Sequence, residues 1–461
     1  MFTYIKCKNF LSLGDVVFDF KKNQNSINPI VIVYGENGSG KTNFVQAFSV
    51  LKNTIHSFEY QRHADELLSI FKEEVFSVAN IQQELSIYQD FCSYLSSKRM
   101  VDCDEPTELE YGFVMNDKEA IYHISFTDRI IEESLYGFTG KQRGYLFKIS
   151  SDDNNTINSK LQSGLIIQSL YKKEMNEKIS QYWGKHTFLS IINKQKMEKN
   201  EKFIEENISM FLLESLKQLD MISITNKLPH SNENRIIYND KNCILWNLEN
   251  GVIKADQVKT IERTERIIRE FLTQTYSDIK DVQYGIAQME NDKVHYQLYV
   301  DKMINGKVRR ISFAQESAGT HQVIDILRSL IGLFCGVTVV YDEIDNGVHD
   351  ILLTGIIKSL QDEITGQLII TTHNTMLLEE MDEHYVYVIS TDYLGRKSVH
   401  CAAEYGIQTN HNLRTRYLKG LLGGVPYADG VDYDEIENIL AERGIYDVSI
   451  KTGTKSLNVH L

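Results

Sequence analysis

The chain lacks the long apolar run that a membrane helix requires. Its strand-like runs break within about ten residues, well short of the roughly 20 that cross a bilayer. The opening MFTYIKCKNF has no charged stretch followed by an apolar one, so no secretory signal is expected. The six cysteines (Cys7, Cys92, Cys103, Cys243, Cys335, Cys401) include no C-x-x-C pair, which argues against a zinc site or a disulfide framework. These absences point to a cytoplasmic protein with no membrane partner. An excess of positive charge is missing too: 49 Lys and Arg face 63 Asp and Glu, for a formal net charge of −14. Coating DNA needs a large basic surface, so that role is disfavoured, while a local basic groove stays compatible. Proline is scarce, 4 in the whole chain, and residues 52–101 hold neither Pro nor Gly. Rich in Glu, Lys, Gln and Leu, that stretch is expected to be helical.

What is present supports a packed protein. Hydrophobic residues make up 42% of 461, enough for a real core, so wholesale disorder is excluded. The length accommodates about three average domains or one large α/β domain with an insertion. Residues 4–10 and 15–20 read as strands, and Ile30-Val31-Ile32-Val33-Tyr34 as a strand buried on both faces. Between 108 and 149 apolar and polar residues alternate, broken at Asn116-Asp117 and Thr139-Gly140, which predicts an antiparallel meander. Residues 151–159 read as a polar loop, and 160–220 as helical. Residues 221–310 mix short strands with a charged helix near 256–275. Val337–Tyr341 and Leu368–Thr371 flank a helix at about 348–362, the β-α-β unit of a parallel sheet.

Gly35-Glu36-Asn37-Gly38-Ser39-Gly40-Lys41-Thr42 fits G-x-x-x-x-G-K-[ST] at every fixed position, with a strand before it and a helix after. Glycines let successive N–H groups converge, and the helix N-terminus adds partial positive charge, so the loop suits α- and β-phosphates. Lys41 would reach the β- and γ-phosphates of ATP, and Thr42 would offer its hydroxyl to Mg²⁺. Such a loop needs a carboxylate from a second strand. Asp342 and Glu343 follow the apolar strand 337–341. Asp342 suits Mg²⁺ as a hard oxygen ligand, and Glu343 suits the attacking water. Thr371-Thr372-His373 closes the next strand, 30 positions after Glu343, where an imidazole can hydrogen-bond a γ-phosphate. Ser317-Ala318-Gly319-Thr320 opens an apolar helix. Those small residues fit a second anion-binding helix end and equally a capped core helix.

With these elements in order, the sequence resembles the ATP-binding-cassette type of ATPase, and more narrowly its RecF/SMC-like branch. The resemblance implies an α/β fold: a P-loop NTPase head of ABC type, with an antiparallel β-meander lobe and a helical insertion between Walker A and signature. It implies that Ser317 and Gly319 of one head complete the ATP site of a second, making a homo-oligomer. Ala318 and Thr320 depart from the commonest glycine and glutamine of that signature. Asp345, in the turn Asp345-Asn346-Gly347, matches the aspartate that crosses the head interface, and His373 matches the switch histidine. No glutamine is assigned to the position linking Mg²⁺ to the inserted lobe.

The meander 109–147, Glu316-Ser317-Ala318-Gly319-Thr320 and the tail Asn412–Gly420 with Gly423-Gly424-Val425-Pro426 narrow the resemblance further. They look like stand-alone ATPases of abortive-infection and phage-defence loci: the ATPase half of overcoming-lysogenisation-defect nucleases and the ATPase subunits of PARIS- and Septu-like systems. This implies an ATP-hydrolysing switch that controls a separate effector, such as a nuclease or toxin, on sensing a phage-encoded trigger. The expected organisation is a split head at 1–50 and 300–426 carrying the meander, insertions at 52–101 and 150–299, and a tail at 427–461. A built-in nuclease is not expected. Only 88 residues follow His373, and Asp429, Asp432, Asp434 and Glu435 read as a solvated helix start. Lys141-Gln142-Arg143 and Arg309-Arg310 read as surface charge, leaving DNA contact open. Two other readings stand beside the switch: a RecF/SMC-like DNA-repair ATPase, and a toxin acting alone.

Overall fold

The computed structural model describes residues 1–23, 26–62, 90–115, 117–139, 142–152, 154–226, 244–245, 247–406, 412–425 and 433–442. The chain divides into two compact units, Met1–Gly424 and Val425–Leu461. The first unit begins with strands β1 (Phe2–Phe10), β2 (Leu13–Asp19), β3 (Lys21–Asn23), β4 (Ser26–Ile27) and β5 (Ile30–Gly35). Helices α1 (Lys41–Ile55) and α2 (Phe91–Ser96) follow. Then come β6 (Thr107–Met115), β7 (Lys118–Phe126), β8 (Ile130–Thr139), β9 (Gln142–Ser151) and β10 (Ile157–Leu161). A helical stretch holds α3 (Ser169–Tyr182), α4 (Phe188–Glu198), α5 (Glu201–Asn207) and α6 (Met210–Asp220), and leads into β11 (Ile222–Thr225). Next are β12 (Asn250–Lys254), α7 (Val258–Thr275), β13 (Ile279–Met289), β14 (Lys293–Ile304) and β15 (Lys307–Ser312). The unit ends with α8 (Ala318–Phe334), β16 (Thr338–Tyr341), α9 (Asp350–Ser359), β17 (Gln367–Thr371), α10 (Leu377–Glu380), β18 (Val386–Thr391), β19 (Lys397–Cys401) and α11 (Leu413–Leu418). In the second unit the described element is α12 (Tyr433–Glu442).

The fold is mixed α/β with two large sheets. One is antiparallel, in the order β10-β9-β8-β7-β6-β1-β2, so the meander continues directly from the first hairpin. The other runs β11-β16-β17-β5-β18-β19 and is parallel except for β19. Every residue of β5 is buried, as its unbroken apolar run predicts. A smaller sheet is built on β14. Its residues 293–297 pair with β12 and 299–304 with β15, while β13 covers the other edge. Helix α7 packs on this sheet, and its Ile261, Ile268 and Leu272 are buried.

Helix α1 lies between the two large sheets. Phe44, Val45, Phe48 and Leu51 share one core with Ile5, Cys7 and Phe18 of the antiparallel sheet and with Val31 and Val33 of β5. The Phe44 ring sits 4.1 Å from Phe18 and the Phe48 ring 5.4 Å from Phe2. The Tyr111 hydroxyl donates to the Ala47 carbonyl at 2.6 Å, satisfying the one polar group of a ring buried in that core. Gln367, fully buried on β17, staples the sheets: its Oε1 accepts from Phe2 N (2.8 Å) and its Nε2 donates to Phe2 O (3.0 Å) and Asn28 O (3.1 Å). The fully buried Glu133 of β8 ties the meander to the helical stretch. It accepts from Phe188 N, Leu189 N, Trp183 Nε1 and the Tyr122 hydroxyl. Burial pushes its carboxyl up to about 7 against the pull of those four donors.

Three expectations need correction. Residues 97–101 are not helical: the chain turns after Ser96 and lies along the first hairpin, with Leu11 N bonding Lys98 O and Met100 N bonding Asn9 O. The helical expectation holds at 52–55, 57–62 and 91–96, and 63–89 lies outside the described residues. Of the polar run 151–159, residues 152 and 154–156 form the expected loop, where the Asp152 carboxylate caps the N–H groups of Asn154 and Thr156, but 157–159 are strand, the start of β10 pairing back onto β9. The polarity of 157–159 reflects a strand at the exposed edge of the sheet. Finally, β11 lies inside the stretch assigned to the insertion, yet it forms the edge of the parallel sheet.

A half-buried charged cluster fastens the far end of α1 to the end of α6. His56 Nε2 meets Asp220 Oδ1 at 2.6 Å, Lys52 Nζ meets the same oxygen at 2.7 Å, and Glu59 lies 3.3 Å from His56 Nδ1. Burial alone would lower the His56 pKa, but the hydrogen bonds to Asp220 and Glu59 outweigh it and lift the value to about 9 from 6.5. A raised histidine stabilises the fold fully below its unfolded value and stops doing so as pH rises through its folded one. Urea unfolding should therefore show wild-type protein losing about 3 kcal/mol between pH 6.5 and 9.5 that His56→Gln does not lose. Parallel losses in both proteins would refute the assignment.

Candidate active site

β5, β16 and β17 are adjacent and parallel, so the segments leaving their C-terminal ends emerge on one edge of the sheet, where such folds place their ligand crevice. From β5 comes the loop 35–40, from β16 the acidic pair, and from β17 His373. Gly35 ends β5, and Glu36, Asn37, Gly38, Ser39 and Gly40 form the loop. Lys41 and Thr42 open α1. The loop needs glycine at position 40, the N-cap of α1, where φ is 106° and a Cβ would stand 2.9 Å from Leu13 Cδ2 of the first hairpin. A helix of 15 residues then points its first N–H groups at the loop.

Lys41 is nearly buried, and its ammonium donates to the carbonyls of Gly35 (2.7 Å) and Glu36 (3.1 Å). Burial lowers its pKa, while the carboxylates of Glu343, Asp342, Asp345 and Glu36 pull it back up. The loop and the acids of the second strand therefore share one electrostatic neighbourhood. Ser39 Oγ is buried without a hydrogen-bond partner, as is Asp345 Oδ1. Unpaired polar atoms of that kind are expensive unless something polar meets them.

Asp342 is 3% exposed, its N–H held by Thr225 O of β11 and its Oδ1 accepting from the Thr371 hydroxyl at 2.6 Å. The same hydroxyl oxygen accepts from Glu343 N at 2.7 Å. Thr371 thus fixes both acids at once, one by its proton and one by its lone pair. Glu343 has a φ of 48°, a left-handed conformation that costs a non-glycine residue roughly 1–2 kcal/mol. The Thr371 bond and the Asn346 N–H on the Glu343 carbonyl (3.1 Å) hold it there. The turn continues to Asp345, whose Oδ2 accepts from His373 N at 3.1 Å, tying the ends of β16 and β17 together. The His373 side chain is exposed at the site.

Ser317 and Gly319 are not in this cluster. Ser317 is the N-cap of α8, its Oγ accepting from Thr320 N at 3.2 Å. Gly319 lies so near the turn after Glu343 that a Cβ there would meet the Gly347 carbonyl at 2.9 Å. Both residues therefore have work within their own chain. Ser317 and Ala318 are also exposed. Beneath them Glu316, 2% exposed, is gripped by Lys302 of β14 at 2.9 Å.

Of the charged runs, Lys141, Asp429 and Asp432 lie outside the described residues. Asp434 and Glu435 sit exposed in the first turn of α12. Arg143 stacks over the Tyr136 and Phe138 rings (5.3 and 5.5 Å), and Arg310 is held by Asp301 at 2.8 and 2.9 Å. The sequence reading missed Thr371 as the bridge between the acids, Thr225 as a support, and the tail residues Tyr417 and Gly424, which pack on the loop. A strand-final threonine gives only a faint signal, since its value depends on two neighbours distant in sequence.

Among the described residues no group of three or more His, Cys, Asp or Glu side chains is arranged to hold a metal ion. A buried carboxylate such as that of Asp342 suits Mg²⁺, which keeps waters and takes further oxygens from bound phosphates. No described helix is long and apolar enough to cross a membrane.

No protein-family model matches the sequence, and no curated protein does. Solved structures do match. An SMC head domain from Thermotoga maritima is 12% identical with a TM-score of 0.36, over 87% of this chain and 98% of that one. An Smc head bound to the C-terminal winged-helix domain of ScpA is 14% identical, TM-score 0.39, over 87% and 96%. A third, an Smc head with an extended coiled coil bound to the C-terminal domain of ScpA derived from Pyrococcus furiosus, is 14% identical, TM-score 0.39, over 91% and 99%. The likeness is distant, and the roles of residues in this chain rest on its own geometry.

Thr371→Val keeps the strand's branched shape and removes the bridge. If the site hydrolyses nucleotide with Mg²⁺, turnover should fall about ten- to hundredfold, the cost of unpairing a buried carboxylate and a strained amide. Mg²⁺-free nucleotide binding should stay near wild type. Unchanged turnover would show that the bridge does not matter.

Proposed function

We propose that this chain is an ATP-binding, Mg²⁺-dependent ATPase head of the ATP-binding-cassette type, working as a switch. The observation that supports it most is the convergence of the Lys41 loop with Asp342 and Glu343, both acids held by Thr371, at one sheet edge. On binding ATP, Lys41 would exchange its bonds with the Gly35 and Glu36 carbonyls for phosphate oxygens, and the α1 N-terminus would support them. Thr42 and Asp342 would hold Mg²⁺, which neutralises charge on the transferring phosphoryl group. Glu343, at the strained end of β16, would orient and deprotonate the attacking water, with His373 hydrogen-bonding the γ-phosphate.

The exposed start of α8 is what a second copy would need to reach. In this reading Ser317 and Gly319 of one head meet the nucleotide on another, and Asp345 lies at their junction. Hydrolysis then separates the heads, which makes the output conformational. The setting we infer, from the sequence resemblance of signature and tail, is anti-phage defence by abortive infection, the switch restraining or releasing a separate effector. Toxicity in cells that requires the neighbouring gene supports this setting. Toxicity without that gene supports a self-contained toxin, and DNA-stimulated, salt-sensitive turnover supports a repair ATPase.

Glu343→Gln should bind ATP with wild-type affinity while hydrolysing it at least about a hundredfold more slowly, the usual scale of a lost general base. It should also accumulate as an ATP-dependent oligomer on size-exclusion chromatography with light scattering. Lys41→Ala should lose ATP binding by about ten- to hundredfold, as expected for removing a charge-assisted contact. Normal turnover in the first variant or normal affinity in the second would sink the assignment.

A further inference from the structure

The tail that follows β19 returns to the phosphate loop. Asn412 caps α11, and the segment then runs to Gly424, the last residue of the first unit. Gly424 presses on the first residue of the loop. A Cβ there would lie 3.2 Å from Gly35 Cα, 3.0 Å from Ile389 O and 2.7 Å from Val388 Cγ1, and its φ of +66° independently demands glycine. The Tyr417 hydroxyl donates to the Gly424 carbonyl at 2.9 Å, and its ring packs 5.5 Å from that of Tyr34, the residue before Gly35. Burial and the nearby Glu36 carboxylate push the Tyr417 phenol up to about 12, so it remains a donor at any physiological pH.

The other end of the segment holds the loop after His373. Arg414 Nε donates to Thr375 Oγ1 at 3.1 Å and pairs with Glu379 at 3.4 Å, and Asn412 Nδ2 also reaches Glu379 at 3.1 Å. Tyr34 closes the circuit, its hydroxyl donating to Asn374 O at 2.8 Å. One short segment therefore grips both the start of the phosphate loop and the residues just after His373.

We propose that residues 412–424 form a strap that sets the spacing between the phosphate loop and the His373 loop, with Tyr417 and Arg414 as positioning residues for nucleotide turnover. The inference rests on the ATPase reading above. It also gives the chain a route for control, because the backbone leaving Gly424 continues into the second unit, and anything that pulls on the strap acts on both loops. The two grips touch different parts of the site, so they separate kinetically. The Tyr417 end governs the loop that holds phosphates, and the Arg414 end governs the group that meets the γ-phosphate.

The test is steady-state ATP hydrolysis and nucleotide-free thermal unfolding of full-length variants. Tyr417→Phe keeps the ring and loses only the bond to Gly424. It should raise the KM for ATP about fivefold with kcat within about twofold, as loss of ground-state binding does. Arg414→Gln should do the reverse, lowering kcat about fivefold with KM little changed. Gly424→Ala should weaken ATP binding by about tenfold or more, since the added methyl must displace Gly35 or the strap. If these variants shift only the unfolding temperature and leave KM and kcat alone, the segment is merely structural and the proposal is overturned. Lys41→Ala is the control. If it loses ATP binding while all three strap variants turn over normally, the strap proposal alone fails. If it binds ATP normally, the ATPase reading fails and the strap proposal goes with it.

Discussion

Helix α1 must satisfy two sheets at once. Ten of its 15 residues are buried, on more than one face, because the antiparallel sheet covers one side and β5 and its neighbours the other. A helix apolar on most of its circumference has no stable place on a surface. The consequence reaches the chemistry, since the first residues of this helix are Lys41 and Thr42. A ligand site at the N-terminus of a doubly covered helix cannot drift relative to either sheet, and interiors packed to native density transmit small displacements instead of absorbing them. Gln367 and the His56–Asp220–Lys52 cluster secure the arrangement from other directions, one at the sheet junction and one at the far end of the helix.

That geometry explains which parts of the protein were legible from the sequence. The phosphate loop, the strands 30–34, 337–341 and 368–371, and the alternating meander carry local signals: glycine spacing, unbroken apolar runs and period-two patterning. Their placement in one sheet edge follows from parallel pairing. The strand β11 was harder, because four residues with the composition Ile-Ser-Ile-Thr look like the frayed end of the helix before them. Only its partner β16 makes it a strand. Likewise 157–159 continue a polar loop into an edge strand that faces water, and polarity alone does not separate the two. Thr371 was legible as a strand end but not as a bridge, since its partners Asp342 and Glu343 come from a different strand.

The candidate site stores its strain at one residue. Glu343 adopts a left-handed backbone, and its amide is held by a side chain whose proton is already committed to Asp342. Neither acid can shift without disturbing the other. A metal-binding carboxylate and a water-activating one have opposite needs, tight coordination for the first and freedom from the metal for the second. Placing them on consecutive residues risks both turning to the same ion. The turned backbone at Glu343 sends the second side chain along a different path from the first, so the strain has a chemical purpose in the proposed reaction.

The turn that begins at Glu343 also decides how far the α8 start stands from the chemistry. Within five residues it supplies the catalytic candidate, the Asp345 contact to His373 N, and the Gly347 carbonyl against which Gly319 packs. Gly319 is therefore explained by packing in its own chain, and no second head is needed to account for a glycine there. The same packing gives a second head its leverage. A partner that docks on exposed Ser317 and Ala318 presses on a helix end whose next residue touches the turn, and the turn has no slack, being bonded at Glu343, Ile344 and Asn346. Pressure on the outer surface of α8 and the orientation of Glu343 are then coupled through one continuous piece of backbone. The strap grips the residues that follow His373, through Thr375 and Glu379. His373 thus stands between two handles, one open to another copy of the chain and one continuous with the chain's own C-terminal unit.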